Sequence, residues 1–420
     1  MNPLEDNTSH WKWNLFLMWS SQLLVLAGFA AMMPFIPLFL KDELGIADER
    51  IRGVWMSAFY FFGTLGYALF CPIWGALSDR YGVKPMLLRG TFGTAILFPF
   101  MAYSPNAWIL VLLRFLSAAC AGTTAASQTL LVKNTPENKQ GFALGVLSTA
   151  IWGGTMLGNV VGGIVVNYYG YKFTFMACGA MYFLAGFIVL LAHEDFKVAA
   201  AAAATHVRKR GMGLLPEFTT AVWMMLILMG LTGFVRYFEI PYLALQIENI
   251  VGSKEAPLWT GVVSGFVAVG ALLSGIVTGY LSDKVRPLYI LVPVFLITVI
   301  TMIIQAFSTD LIVFGVSRTL MYLAAGGAYS VLQKLLSAAT PKRKRGTVFG
   351  FSTTANSAGI MLSTVAAGGV ILFSGVKGVF VAAAILSLLL IPCYMVVISK
   401  VMRQPYFAYQ YKKIMEARKK

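Results

Sequence analysis

Long apolar stretches separated by short polar segments make up most of the chain. Each stretch is apolar throughout rather than alternating, which favours an α-helix over a barrel strand. Each is also close to the roughly 20 residues that a helix needs to cross a bilayer. The twelve predicted spans are 12–40, 52–77, 84–102, 106–131, 141–167, 171–193, 217–247, 255–281, 286–307, 310–336, 345–373 and 376–399. The pattern therefore predicts an all-α membrane protein with twelve transmembrane helices.

The longest polar interruption divides these spans six and six. It covers residues 194–216 and contains a run of six alanines. We therefore expect an N-terminal six-helix bundle at 1–193, a linker at 194–216, a C-terminal six-helix bundle at 217–400 and a basic tail at 401–420.

The two halves repeat each other at an offset of 204 residues. Pro37 pairs with Pro241, Arg114 with Arg318, and the segment GALSD at 75–79 with GYLSD at 279–283. Six spans restore the orientation of the chain, so the two bundles are predicted to be related by a pseudo-two-fold axis. Such halves suit a transporter that alternates access to a site between them.

Composition supports the membrane assignment. The chain is 58% hydrophobic and 12% charged, whereas soluble domains are about 45–50% apolar and about 25% charged. The N-terminus, MNPLEDNTSHWKW, lacks a basic region and a small-residue cleavage site, so the first span is expected to be retained.

The net charge of +16 reflects membrane topology rather than nucleic-acid binding. Of the 33 basic residues, 24 lie on the predicted side that carries both termini and six on the opposite side. Because cytoplasmic segments are enriched in Lys and Arg, both termini are predicted to be cytoplasmic. The tail either contacts anionic lipid or is a solvated end.

A glycine-rich, charged loop joins the second and third predicted spans. It reads GALSDRYGVKPML and contains Gly75, Asp79, Arg80, Gly82 and Lys84. Small residues allow close helix approach, and the charged residues suit a gate that forms and breaks contacts. The second half repeats it as GYLSDKVRP, with Gly279, Asp283 and Lys284. This loop resembles the signature G-x-L-a-D-R-x-G-R-K of the major facilitator superfamily, with Val83 in place of a basic residue.

The fifth span carries a stripe of small residues. Its sequence, GVLSTAIWGGTMLGNVVGG, contains Gly145, Gly154, Gly158, Gly162 and Gly163, spaced to let helix backbones pack closely. The pattern is similar to the antiporter motif of the drug:proton branch of that superfamily. Asn159 stands where the family has proline, which puts the antiport inference in doubt. The resemblance implies a monomeric twelve-span transporter of the bacterial inner membrane.

Four ionisable residues lie deep within predicted spans, where charges are costly and usually functional. They are Glu239, Arg236, Arg114 and Arg318. Arg236 and Glu239 are three residues apart, so one hypothesis is a self-neutralising pair on one helix face. The other is a titrating carboxylate at Glu239 that exchanges a proton as Arg236 or Arg318 approaches or withdraws. Pro241 is expected to loosen the helix beside them.

Aromatic residues near these charges are candidates for a substrate cavity. They are Phe35, Tyr237, Phe238 and Tyr242. The three histidines are scattered, and the four cysteines all fall in apolar stretches, so neither a metal site nor a disulfide is expected. No cofactor is predicted either.

The favoured function is proton-coupled efflux of amphiphilic small molecules or drugs by alternating access. The alternative is transport of an organic anion or another metabolite, because three membrane arginines face one glutamate. A non-transporting membrane receptor is a third hypothesis. The chain lacks a nucleotide-binding motif and a nucleophile–base constellation, so ATP-driven transport and an enzyme are both disfavoured.

Overall fold

The computed structural model describes residues 11–136, 139–193, 218–340 and 345–403, and every regular element in these ranges is helical. This confirms the predicted all-α class. The predicted linker at 194–216 and the tail beyond residue 403 lie outside the described residues.

Fourteen α-helices follow one another within the described ranges. They are α1 (Trp11–Ala30), α2 (Ile36–Asp42), α3 (Glu49–Tyr81), α4 (Val83–Ala102), α5 (Ala107–Cys120), α6 (Thr123–Asn134), α7 (Gln140–Leu190), α8 (Thr220–Arg236), α9 (Leu243–Val251), α10 (Ala256–Lys284), α11 (Pro287–Phe307), α12 (Leu311–Ala325), α13 (Ala328–Ala338) and α14 (Arg345–Met402). Two short 3₁₀ turns, Met33–Phe35 and Ile240–Tyr242, precede α2 and α9.

Ten helical stretches of the described chain are long and apolar enough to cross a membrane. Two of them, Phe142–Leu190 and Val348–Met402, have 49 and 55 residues, about twice the length that one crossing needs. Each contains a glycine with non-helical backbone angles, Gly170 at φ 79° and Gly375 at φ 65°. Both glycines lie between spans that the sequence predicts as separate.

Prolines and glycines also interrupt other membrane stretches. Pro34 and Pro241 lie in the 3₁₀ turns that follow α1 and α8. Proline lacks a backbone N–H and its ring clashes with the carbonyl four residues earlier, so a helix breaks there. Gly122, at φ 115°, separates α5 from α6. The turn at Ile240–Tyr242 places irregular backbone next to Arg236 and Glu239.

Close contacts divide the chain into two compact units. The first comprises residues 1–47, 58–213 and 252–265, and the second comprises 48–57, 214–251 and 266–420. The division follows the two predicted halves except for two exchanged segments. Residues 48–57, at the start of α3, belong to the second unit, and residues 252–265 belong to the first.

Equivalent helix pairs pack closely in both units. In the first unit, Gly154 of α7 faces Leu23 of α1 so closely that an added Cβ would lie 2.5 Å from the Leu23 carbonyl oxygen. In the second unit, Gly359 of α14 faces Gly230 of α8 in the same way. The sequence repeat is therefore also a repeat of helix packing.

Candidate functional site

The site centres on the chain segment that follows α8. This helix ends at Arg236, and Tyr237, Phe238 and Glu239 lie between it and the 3₁₀ turn at Ile240–Tyr242. Glu239 thus lies on irregular backbone inside an apolar stretch. Irregular backbone at membrane depth is tolerated where protein buries it or where it lines a cavity.

Glu239 forms a buried ion pair with Arg318 of α12. The Oε2 atom accepts a hydrogen bond from Nη2 at 2.6 Å, and the two residues expose 0% and 1% of their surface. A buried ion pair is tolerable only with good geometry and further hydrogen bonds, since both charges have left water. The structure therefore selects Arg318 as the partner of Glu239.

Two glutamines complete the network around this ion pair. Gln305 of α11 accepts a hydrogen bond from Arg318 Nη1 at 2.9 Å through its Oε1 atom. Gln246 of α9 in turn donates from Nε2 to the backbone oxygen of Gln305 at 3.2 Å. Sequence reasoning missed both glutamines, although an amide within an apolar stretch is itself a signal of a buried polar network.

Glu239 also lines a small cavity in the second unit. The cavity has a volume of about 50 Å³, enough for a few water molecules. Its lining includes Arg236, five hydroxyl groups and apolar side chains; the hydroxyl-bearing residues are Thr232, Thr298, Tyr322, Tyr329 and Ser387. The Oε1 atom of Glu239 has no hydrogen-bond partner among the described residues, so it is the carboxylate oxygen that remains available to water or a proton.

Arg236 lies on the cavity wall and does not form the ion pair with Glu239. No hydrogen bond or ion pair joins it to another described residue. The i, i+3 spacing does not keep the two residues on one helix face, because α8 ends at Arg236. The self-neutralising pair expected from the spacing is thus replaced by a pair across two helices.

Arg114 lies in the first unit, in a different environment. Its guanidinium is 5.1 Å from the ring centre of Phe29 and 5.5 Å from that of Phe59. Its Nη1 atom donates to Ser117 Oγ at 3.4 Å, and no carboxylate pairs with it in the described part of the chain. Arg114 thus belongs to the first unit, whereas Glu239 and Arg318 belong to the second.

The four aromatic candidates do not line this cavity. Phe35 is fully buried in the first unit, and Phe238 is buried in the second. Tyr242 is also fully buried, and its hydroxyl lies 2.5 Å from Ser57 Oγ. Tyr237 is half-buried.

The segment predicted as a charged loop is helical except at Gly82, which separates α3 from α4 and has a φ of 95° that few other residues adopt. Lys84 donates from Nζ to the carbonyl oxygens of Leu190 and Ala192, at 2.7 and 2.8 Å, and so caps the end of α7. Arg80 packs 5.4 Å from the ring centre of Tyr81. The side chains of Asp79 and Asp283 and the surroundings of Gly279 lie outside what the structure describes.

The second copy of this loop shows Lys284 hydrogen-bonded to the hydroxyl of Tyr280. The expected close approach of helices at Gly75 is not observed, since an added Cβ there would meet no atom within 4 Å. In this conformation Gly75 therefore has open space beside it.

Four of the five predicted glycines in the stripe of α7 lie close to neighbouring backbones, and Gly145 does not. Gly158 and Gly162 lie against the backbones of Ala27 and Ala31, where an added Cβ would clash. Gly163 faces Gly261 of α10, with an added Cβ only 2.9 Å from its Cα atom. Gly145 has open space beside it. The helix stays regular through Asn159, which is half-buried.

A second buried ion pair lies at the start of α3. Arg52 donates from Nη1 to Glu248 Oε2 of α9 at 2.6 Å, and the two residues expose only 4% and 7% of their surface. Glu49 accepts hydrogen bonds from Asn249 and from the backbone N–H of Val376, at 3.0 and 3.1 Å. The sequence prediction places these charges in loops or at span ends and therefore does not identify this site.

Metal-binding and disulfide chemistry find no support in the described residues. No three histidine, cysteine or acidic side chains cluster there. Cys71, Cys120, Cys178 and Cys393 are all free thiols.

Ten membrane-length helices in the described chain and a buried charge network are typical of a multi-pass membrane transporter. The chain belongs to the Major Facilitator Superfamily. The sequence profile of that family matches residues 18–316 and, in a second match, residues 225–408.

Curated relatives include bacterial efflux proteins. The chain is 30% identical over 352 residues to the multi-drug resistance efflux pump PmrA of Streptococcus pneumoniae, covering 82% of this chain and 85% of that protein. It is 28% identical over 389 residues to the multidrug resistance protein MdtG of Escherichia coli, covering 91% and 94%.

The fold is shared with solved transporter structures. A bacterial homologue of the human lysosomal transporter Spinster, in an inward-facing and occupied conformation, superposes with a TM-score of 0.73. The match covers 93% of this chain and 98% of that one at 16% identity, so it concerns the fold alone.

Proposed function

We propose that this transporter exports amphiphilic small molecules in exchange for protons, with Glu239 as the proton-binding residue. The observation that carries the proposal is the fully buried Glu239–Arg318 pair with Glu239 on a cavity wall. The resemblance to efflux pumps named for multidrug resistance supports the substrate class.

The charge pair suits a proton switch because its two states differ in electrostatics. When ionised, Glu239 is held by Arg318; when protonated, it no longer attracts the guanidinium by full charge. Arg318 stays charged in both states because arginine does not lose its proton in proteins. A conformational change that separates the two groups would therefore favour proton binding, and their approach would favour release.

Water access is the second requirement of a proton switch. The cavity beside Glu239 has room for a few water molecules and carries five hydroxyl groups. The Oε1 atom lacks a partner among the described residues, so water in the cavity can carry a proton to it.

The topology proposed for this function has twelve crossings. The stretches Phe142–Leu190 and Val348–Met402 would each cross twice, bending at Gly170 and Gly375. The protein would then lie in a bacterial inner membrane with both termini in the cytoplasm, given the distribution of basic residues. The working unit would be a monomer of two six-helix bundles, 1–193 and 217–400.

The proposal is tested with purified full-length protein in liposomes and a panel of amphiphilic fluorescent dyes. We expect concentrative dye movement when a pH gradient is imposed and its loss when a protonophore removes the gradient. Gradient-independent movement of every dye would contradict proton coupling, and absence of movement for the whole panel would contradict export of amphiphiles.

A further inference from the structure

The cavity in the second unit has an excess of positive charge. Its charged lining consists of Arg236 and Glu239, and the carboxylate of Glu239 is already engaged by Arg318 at 2.6 Å. With Glu239 ionised, these three residues carry one net positive charge, and with Glu239 protonated they carry two. Arg236 is the member of the group that forms no hydrogen bond or close ion pair with another described residue, although the carboxylate of Glu239 attracts it electrostatically.

A half-buried guanidinium without a hydrogen bond or a close ion pair is an unfavourable arrangement. Arginine stays protonated in proteins, so it cannot relieve the cost of burial by losing its charge. Its planar donor groups match the oxygens of a carboxylate or phosphate. Tyr322 also lines the cavity, and its hydroxyl is a further donor that suits such oxygens.

We propose that Arg236 binds the anionic head group of an amphiphilic substrate, a carboxylate or a phosphate-type group. This inference rests on the proposed transport of amphiphiles and narrows their charge. A cavity with net positive charge disfavours cations, and the side chains of Phe295, Met302 and Met321 provide apolar contacts beside the head group.

The other two membrane arginines are poorly placed for this role. Arg318 is 1% exposed and is neutralised by Glu239. Arg114 lies in the first unit beside two phenylalanine rings. Arg236 is therefore the arginine best placed to bind the anionic group. The sequence alone left three arginines as candidates for this role.

Size limits what enters the cavity. Pockets that enclose a drug-sized ligand measure about 300 Å³ or more, whereas this cavity measures about 50 Å³. That volume accommodates a head group and not a whole drug. The substrate of this conformation is therefore expected to insert its anionic end only.

The test uses three probes with one aromatic body: naphthylacetate, naphthylacetamide and naphthylmethyl-trimethylammonium. Their binding to the purified full-length protein is measured as ligand-dependent thermal stabilisation in a zwitterionic detergent, which excludes anionic lipid as a competitor. We expect the carboxylate to bind about 10- to 100-fold more tightly than the amide, the range that a charged hydrogen bond provides. The trimethylammonium compound is expected to bind least.

Arg236→Gln should abolish the preference for naphthylacetate while leaving the binding of naphthylacetamide unchanged. Arg236→Lys should retain part of the preference, since it keeps the charge without the planar fork. Arg286→Gln removes one charge from an exposed position outside the cavity and should leave the preference intact.

The outcomes separate this inference from the proposed function. An unchanged carboxylate preference in Arg236→Gln, or no such preference in the native protein, overturns the anion site while dye export stands. Adding phosphatidylglycerol identifies a lipid as the bound anion if it displaces naphthylacetate without itself being transported. Loss of dye export with the preference intact would instead contradict the transport proposal.

Discussion

Glu239 and Arg318 form a pair whose members respond differently to losing their partner. Both residues are almost fully excluded from solvent, so removal of either leaves an uncompensated group in a low-dielectric site. Glu239 can become neutral by binding a proton, whereas Arg318 cannot lose one. The account therefore predicts unequal effects of the two single substitutions.

Glu239→Gln should destabilise the protein by about 3–5 kcal/mol, the cost of breaking a buried ion pair. Arg318→Gln should destabilise it less, and its stability should rise toward that of the native protein as the pH falls, because Glu239 then becomes neutral. Thermal unfolding in detergent, measured from about pH 8 down to about pH 5, checks this.

The double variant Glu239→Gln, Arg318→Gln serves as the control, since it replaces both charges with neutral amides. It should be more stable than Glu239→Gln alone. If all three variants were as stable as the native protein at every pH, the ion pair would contribute nothing to the stability of the fold.

Sequence reasoning identified the charged residues of this site and left Arg236 and Arg318 as the two candidate partners of Glu239. Glu239 stands out as an acid within an apolar stretch, and Arg318 by its repeat partner Arg114. The link between residues 239 and 318 depends on how α8 ends and on where α12 packs, which no local pattern encodes. Gln246 and Gln305 were missed for the same reason, because their role appears only through Arg318.

At the scale of helices, the stripe of glycines in α7 controls its distance from α1. Gly158 lies directly against the backbone of Ala27, whereas Gly153 in the same helix has no atom within 4 Å of an added Cβ. These two positions form a matched pair for testing close packing.

Gly158→Ala should lower the stability by about 1–3 kcal/mol, the typical cost of overpacking a core. Gly153→Ala should be neutral or stabilising, since alanine is the better helix former and meets no neighbour. Thermal unfolding of both variants measures the difference. Equal loss at the two positions would mean that helix contact does not explain the glycine stripe.

The start of α3 is held by the buried pair of Arg52 and Glu248. Glu248→Gln should release this segment, so amide hydrogens of residues 49–57 should exchange at least about 10-fold faster. Reversing both charges, with Arg52→Glu and Glu248→Arg, should restore protection if the pairing itself holds the segment.

Glu43 and Lys172 provide the control for this measurement. They form an ion pair of 2.9 Å that is largely exposed, and surface pairs contribute little to stability. Glu43→Gln should therefore leave exchange at residues 49–57 unchanged. Undiminished protection in Glu248→Gln would assign the anchoring of α3 to apolar packing instead.

Hydropathy located the membrane helices well because their length and apolar content are properties of single segments. Gly170 and Gly375 fall between predicted spans because the end of an apolar segment is also a property of that segment alone. The exchange of residues 48–57 and 252–265 between the compact units was not predictable. Only tertiary contacts reveal it, since each segment adjoins its own half in the sequence.

At the scale of the whole molecule, the twelve crossings proposed above would place the bends at Gly170 and Gly375 on the side opposite both termini. Single cysteines at Lys172, Lys377 and Lys400 test this in a variant without the four native cysteines, because all three lysines are exposed. A membrane-impermeant maleimide added to intact cells should label positions 172 and 377 but not 400.

Permeabilised cells provide the control, since all three cysteines should then be labelled. Labelling of position 400 in intact cells, or protection of positions 172 and 377, would contradict the twelve-crossing topology with cytoplasmic termini.

The central claim is that Glu239 links substrate movement to proton movement. The most direct measurement follows the internal pH of proteoliposomes that are loaded with a transported dye and diluted into dye-free buffer at equal pH. With the native protein, dye exit should drive protons inward and acidify the lumen.

The Glu239→Gln variant should exchange dye for dye but produce no acidification. If this single variant is unstable, the Glu239→Gln, Arg318→Gln variant is measured in the same way. Glu255→Gln, which removes an exposed carboxylate, should acidify the lumen at the native rate. Acidification at the native rate by the Glu239 variants would contradict the central claim.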